Sequence, residues 1–514
     1  MARSIVLTLA TLAGVMGHAV SRAENFPITP IHWEPCPAPF PPSVDCGKIA
    51  VPMDHGNLLG GTITLGLVRR RANATKPVGN LVVNPGGPGG PASGFLLQQV
   101  LGEAAGTPFT VLSKTLTSQY NIIAPDPRGV GLSNPVKCDA KIYNQRVPNY
   151  ITSQDDFDKL VAWNKALGAS CLQMTGPSLK FLDTISAAKD LDYVRLALGD
   201  SKLNYLGFSY GSQLGSQYAE LFPNNVGRMI LDGVLDHSAT EVPSLVTETT
   251  TIENTLNEFF KWCNTTSDCA FHGQDLPAIF DTLIDNANKK PIPAPQCLPP
   301  DEAAKQGAPS CRSDVTGYEL LAGVQGSLIF PTGLVNGYSW VNVSQDLHKA
   351  YANNDASIYS APLATNNTSS VEESIFPSSA IGCQDWLHRG TANDLLARLI
   401  AMRALAPHTR GVTGTLIYQT VCIGWPTPLT NPQRPLSRDR LANAPPILLV
   451  NSFHDPETSI AWAVGLREQM PTAVSLFRDG SGHTSYDNYG DLQKVMDAFL
   501  IAGTVPKDLT IYKS

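Results

Sequence analysis

The chain has 514 residues, 43% hydrophobic and only 16% charged, which supplies a large core and excludes a disordered or collagen-like polypeptide. Its 37 Lys and Arg against 44 Asp and Glu give a net charge of −7. That balance offers no basic face, so neither nucleic acid nor an anionic membrane is an expected partner.

Residues 1–23 read as a secretory signal. Arg3 forms a short positive start, Ile5–Met16 an apolar run, and Ala19 or Ser21-Arg22-Ala23 a small-residue cleavage site. The run is shorter than the ~20 residues that cross a bilayer, and no later segment is long enough, so no membrane span is expected. The 10 cysteines form an even set without a tight metal-type CxxC pair. With the leader they point to an oxidising compartment and disulfides. Proximity suggests Cys36–Cys46, Cys138–Cys171, Cys263–Cys269, Cys297–Cys311 and Cys383–Cys422. Sequons at Asn73, Asn264, Asn342, Asn366 and Asn367 suggest a glycoprotein.

From Gly61 to Leu235 short apolar runs alternate with helical patterns, as in a parallel α/β sheet. Strands are predicted at Thr62–Arg69, Gly79–Val83, Tyr120–Ala124, Leu203–Gly207 and Met229–Leu231, with helices at Ala187–Leu198 and Gln213–Leu221. Helical patterns then dominate: Val246–Cys263, Ala278–Asn288, Tyr318–Ile329 and Ser339–Tyr351, separated by Pro- and Asn-rich linkers. The α/β texture returns with strands at Pro446–Asn451 and Val474–Arg478 and helices at Ser459–Gln469 and Leu492–Ile501. The expected organisation is a signal (1–23), a first part of an α/β core (24–237), a mainly helical cap (238–435) and the rest of the core (436–514).

Gly207-Phe208-Ser209-Tyr210-Gly211 matches G-x-S-x-G, with a strand before it and a helix after it, the context of a nucleophile elbow. A serine hydroxyl needs a base to take its proton. His483, in the glycine-flanked loop Gly480–Thr484, is the candidate base. Asp455, after the strand Pro446–Asn451, is placed to orient it, although Asp-Pro before a helix is also ordinary capping chemistry. Glu457 and His454 are near rivals, and Asp232 and Asp385 weaker ones. The run Asn84-Pro85-Gly86-Gly87-Pro88-Gly89-Gly90 follows a strand, where a backbone oxyanion donor belongs. Gly87, or its neighbour Gly86, would give one N–H and Tyr210 the other. No Gly-Lys-Ser/Thr follows, which argues against a phosphate loop.

Together with Val51–Asp54, Asp126–Ser133, Ala187–Asp192, Ala380–Asp385 and Cys422–Pro426, these segments resemble the prolyl- and tripeptidyl-aminopeptidase branch of the α/β-hydrolases, including its TAP-like C-terminal portion. The resemblance implies an α/β-hydrolase fold, a mostly parallel sheet with a helical cap inserted before the last strands. It makes Ser209, Asp455 and His483 the triad. In this branch acidic side chains near the cap hold a substrate's free α-amine. Glu241 is the substrate-binding candidate here, with Glu248 and Glu253 as others, while scattered glutamates on an exposed helix face are the plainer explanation. The expected activity is that of a secreted serine hydrolase working through an acyl-enzyme, an aminopeptidase releasing residues or tripeptides from peptide N-termini. An esterase or amidase acting on a small metabolite is the alternative. No metal or organic cofactor is required, since nucleophile, base and electrostatics all come from the chain.

Overall fold

The computed structural model describes residues 26–107, 110–306, 310–333, 337–364, 372–488 and 490–513. The secretory signal and the sequons at Asn366 and Asn367 lie outside the described residues. In chain order the strands are β1 (Glu34–Pro35), β2 (Val44–Asp54), β3 (Asn57–Arg70), β4 (Gly79–Asn84), β5 (Tyr120–Pro125), β6 (Leu203–Phe208), β7 (Val226–Asp232), β8 (Ile292–Pro293), β9 (Asp314–Val315), β10 (Ile447–His454), β11 (Ala473–Ser481) and β12 (Thr510–Lys513). Ten of them form one sheet in the order β1-β2-β3-β5-β4-β6-β7-β10-β11-β12, and β8 pairs with β9 separately. The strands from β1 through β3 to β5 pair antiparallel, and every neighbour from β5 to β12 is parallel.

The central strands are apolar on both faces because helices cover both. Val82, Ile123, Tyr205, Met229, Leu231 and Leu449 pack on one side. Their immediate neighbours Leu81, Val83, Ile122, Leu206, Ile230 and Leu448 pack on the other, the period of two that a strand dictates.

Between β7 and β10 the chain leaves the sheet and runs mainly as helices, the longest being Glu241–Thr265. These helices bury a core of their own, including Phe259, Phe280, Leu320, Trp340 and Leu416. The chain then re-enters the sheet beside β7, so the insertion stands at the C-terminal rim of the parallel strands, where open α/β sheets place their ligand sites. Five disulfides join Cys36–Cys46, Cys138–Cys171, Cys263–Cys269, Cys297–Cys311 and Cys383–Cys422, each cysteine bonded to its neighbour in sequence, as expected. Among the described residues no helix is long and apolar enough to cross a membrane, and no cluster of His, Cys, Asp and Glu could hold a metal ion.

Candidate active site

Strand β6 ends at Phe208 and the helix Tyr210–Leu221 begins two residues later, so the single residue between them must reverse the chain. That residue is Ser209, at φ 57° and ψ −125°, a conformation a non-glycine residue holds only when its surroundings enforce it. The glycines make room for the turn. A Cβ on Gly207 would run into the carbonyl of Gly211, one on Gly211 would lie 2.8 Å from Asn84 O, and one on Gly86 would lie 2.8 Å from Ser209 Cβ. The Asn84–Gly90 loop is thereby pressed against the elbow. Tyr210, as the first residue of its helix, has an N–H with no intrahelical acceptor.

Asp232, the last residue of β7, joins this turn to the histidine loop. Its carbonyl accepts from Ser209 N at 2.8 Å, and its buried carboxylate accepts from Ser485 N at 2.9 Å and Tyr486 N at 2.7 Å. Gly233 follows at φ +71°, and a Cβ there would stand 3.3 Å from His483 Cε1. Serine and imidazole therefore flank the end of the same strand.

His483 Nδ1 lies 2.8 and 3.0 Å from the two oxygens of Asp455. A hydrogen bond to a carboxylate there puts the proton on Nδ1 and leaves Nε2 as the proton acceptor of the neutral ring. Asp455 is only 1% exposed and also accepts from Glu457 N, Thr458 N, Thr458 Oγ1 and Thr484 N. Burial would raise its pKa, but the charge and hydrogen bond of His483 and these donors hold it below the ordinary value. Burial in turn works to lower the His483 pKa, and Asp455, then Glu457 and Asp487, more than reverse that, bringing it to about 9. The imidazolium is favoured in the resting protein.

Ser209, Gly87 and Pro88 open on a cavity of about 190 Å³ beneath the inserted helices. Its walls are aromatic and acidic. Trp386 and Tyr418 stack with ring centroids 4.9 Å apart, and Trp462, Glu248 and Glu457 also line it. Glu248 is buried and accepts from Gly414 N at 3.2 Å and Thr415 N at 2.6 Å. Burial pushes its pKa up to about 7 against those hydrogen bonds, and the charge of Glu457 adds to the rise. Burial also raises Glu457, with His483 opposing.

The structure thus brings Ser209, His483, Asp455, Gly87 and Tyr210 to one rim. Glu241 is placed differently from the expectation. Its carboxylate accepts from Arg389 N at 2.9 Å and lies 3.4 Å from Arg398 Nη1, and the carboxylates that line the cavity are Glu248 and Glu457. Glu253 caps the His408-Thr409 turn. His454 bonds Asn254 Oδ1 at 2.6 Å, away from the serine. Asp455 holds the imidazole and accepts from the backbone of its own turn, but it does not cap the following helix, whose N-cap is Ser459. Thr458, where the sequence suggests the next helix begins, instead donates its hydroxyl to Asp455 Oδ2 at 2.8 Å.

A family model described as "alpha/beta hydrolase fold" matches residues 79–271, and one described as "TAP-like protein" matches residues 411–511. The serine protease Hip1 of Mycobacterium tuberculosis is 28% identical, covering 98% of this chain and 95% of that one. The tripeptidyl aminopeptidase of Streptomyces coelicolor is 26% identical over 93% of this chain and 85% of its own. Carboxylesterase B of Mycobacterium tuberculosis is 26% identical over 90% and 85%. Elbow, sheet order and sequence likeness agree: the chain has the α/β-hydrolase fold with a C-terminal portion similar to TAP-like proteins, and it is a serine hydrolase.

Proposed function

We propose that the protein is a secreted aminopeptidase in which Ser209 is the nucleophile, His483 the general base and then acid, and Asp455 the group that orients it. Ser209 Oγ forms a bond to the scissile carbonyl carbon while its proton passes to His483 Nε2. The N–H groups of Gly87 and Tyr210 receive the oxyanion. His483 then gives the proton to the departing amine as the C–N bond breaks, and a water repeats the sequence on the acyl-enzyme.

The observation that carries the reading is the pairing of Ser209 with two carboxylates, Glu248 and Glu457, in one aromatic-walled cavity. A free α-ammonium group is the substrate feature such a box recognises, by charge and by cation–π contact. The likeness to Hip1 and to tripeptidyl aminopeptidase supports peptide hydrolysis. The cavity's size, below the roughly 300–1,000 Å³ of sites for drug-sized ligands, favours a short acyl portion. The leader pattern and five disulfides support secretion. The likeness to carboxylesterase B keeps ester substrates as the second reading.

The test is a panel of aminoacyl, dipeptidyl and tripeptidyl amides, their N-acetylated forms and simple esters, run on the parent and on Ser209→Ala. Cleavage should require the free amine. Ser209→Ala should lose turnover on the order of 10⁴-fold or more, together with fluorophosphonate labelling. Indifference to N-acetylation removes the aminopeptidase reading; equal labelling of both proteins removes Ser209 from the chemistry.

A further inference from the structure

We propose that Glu457 couples recognition of the substrate's ammonium group to the protonation of His483, so that an amine in the cavity favours release of the general base. The proposal rests on the aminopeptidase reading and adds to it a reason why amine recognition should appear in turnover as well as in binding.

Glu457 sits two residues after Asp455, and its own N–H donates to Asp455 Oδ1 at 2.8 Å, so the turn that orients the imidazole also fixes Glu457. Its side chain lines the same cavity as Ser209. Among the described residues none donates a hydrogen bond to its carboxylate, whereas Glu248 across the cavity has two backbone donors and Asp455 is fully satisfied. A half-buried carboxylate that faces a ligand cavity and takes no hydrogen bond from the described residues is suited to pair with a cationic group.

The charged groups around the imidazole come from every element packed on it. Asp455 and Glu457 face it from the loop after β10, and Asp487 from its own loop. Arg478 of β11 donates to the carbonyls of Ser481, Gly482 and Thr484 beneath that loop, where its charge meets Asp487 and Asp232. Glu457 itself is faced by His483, Asp455 and, from the inserted helices, Glu248. Three carboxylates surround one imidazole, and together they raise its pKa to about 9 despite burial. An ammonium group bound at Glu457 cancels one of those charges and adds a positive one beside the ring. The imidazolium then loses its proton to solvent, and Nε2 becomes free to accept the proton of Ser209. Binding energy of the amine is thereby expressed in the chemical step.

The test uses the full chain, p-nitrophenyl acetate as a small uncharged acyl donor, and alanine p-nitroanilide, which carries a free amine. Glu457→Gln should move the pH midpoint of acylation by p-nitrophenyl acetate down by about one unit and raise its rate at pH 7 by up to about tenfold. The same variant should slow alanine p-nitroanilide, and Glu457→Asp should restore both values toward the parent. Opposite changes on the two substrates distinguish coupling from a structural role, which would slow both. If the parent cleaves alanine p-nitroanilide and Glu457→Gln leaves the acetate midpoint in place, the coupling is overturned alone. If the parent turns over p-nitrophenyl acetate and no free-amine substrate, the coupling falls together with the aminopeptidase reading.

Discussion

Gly233 shows how narrow the tolerances at single positions are. It holds φ +71°, and a methyl group there would meet Thr458 Oγ1 and Thr484 Cγ2 at 3.1 Å and His483 Cε1 at 3.3 Å. Gly233→Ala adds a left-handed alanine, costing about 1 kcal/mol or more, and pushes on the imidazole. Turnover should fall about tenfold to a hundredfold while the melting temperature moves only a few degrees; kinetics and a thermal melt on the same preparation check both. Ser209, Asp455 and His483 were legible in the sequence because each sits in a local pattern with a mechanical cause: G-x-S-x-G, a carboxylate at a strand end, a histidine between glycines. Glu248 was only one of three glutamates offered by the sequence near the cap, and Glu457 only a rival to Asp455, because a carboxylate's role depends on which wall it faces and helical spacing does not say what the helix is laid against.

Among the elements, the helix Glu372–Asp385 has a role beyond its length. Its last residue, Asp385, is buried and accepts from Thr184 N at 3.0 Å, from Thr184 Oγ1 and from Asn431 Nδ2 at 2.8 Å. Thr184 Oγ1 in turn lies 2.5 Å from the hydroxyl of Tyr210, the residue after Ser209, and the residue after Asp385, Trp386, walls the cavity. One carboxylate thus fixes the back of the elbow and the front of the substrate pocket. Burial and the nearby Asp183 push its pKa up to about 7. Asp385→Ala leaves several buried donors unpaired and should cost about 2 kcal/mol or more in urea unfolding, with a fall in kcat, and Asp385→Asn should recover most of the stability. This helix was not foreseen, because Pro377 within it reads as a breaker. Strand β2 was missed for a similar reason, since Gly47 and Pro52 lie within it, and β12 is only four residues long. The strands of the central sheet were found, since a run buried on both faces leaves a continuous apolar signature, and their ends differed from expectation by only a few residues.

For the whole molecule, stability and activity respond to pH in opposite senses. His483 has a folded-state pKa raised from 6.5 to about 9, so the stability its proton contributes is complete below about pH 6.5 and is lost as pH rises through about 9. Asp232, Glu248 and Asp385 are raised to about 7 by burial first of all, and their protonated forms likewise favour the fold at lower pH. His237, depressed by burial to about 4, acts only below 6.5. The melting temperature should therefore decline between about pH 6.5 and 9, where hydrolysis of an uncharged ester rises, and His483→Gln should flatten the decline. A melting temperature that climbs over this range would overturn the assignment of the charge.

The histidine loop is also held from above. His483 N donates to Ile329 O at 2.9 Å, and a Cβ on Gly482 would lie 2.6 Å from Pro331 Cδ, so the stretch Ile329–Pro331 of the insertion rests directly on the proposed general base. Any swing of the helices that widens the entrance for a peptide must break or drag that tether. With His483 in its proposed role, admission and reaction would be alternating phases of one cycle, because a gate standing ajar would leave the base unaligned.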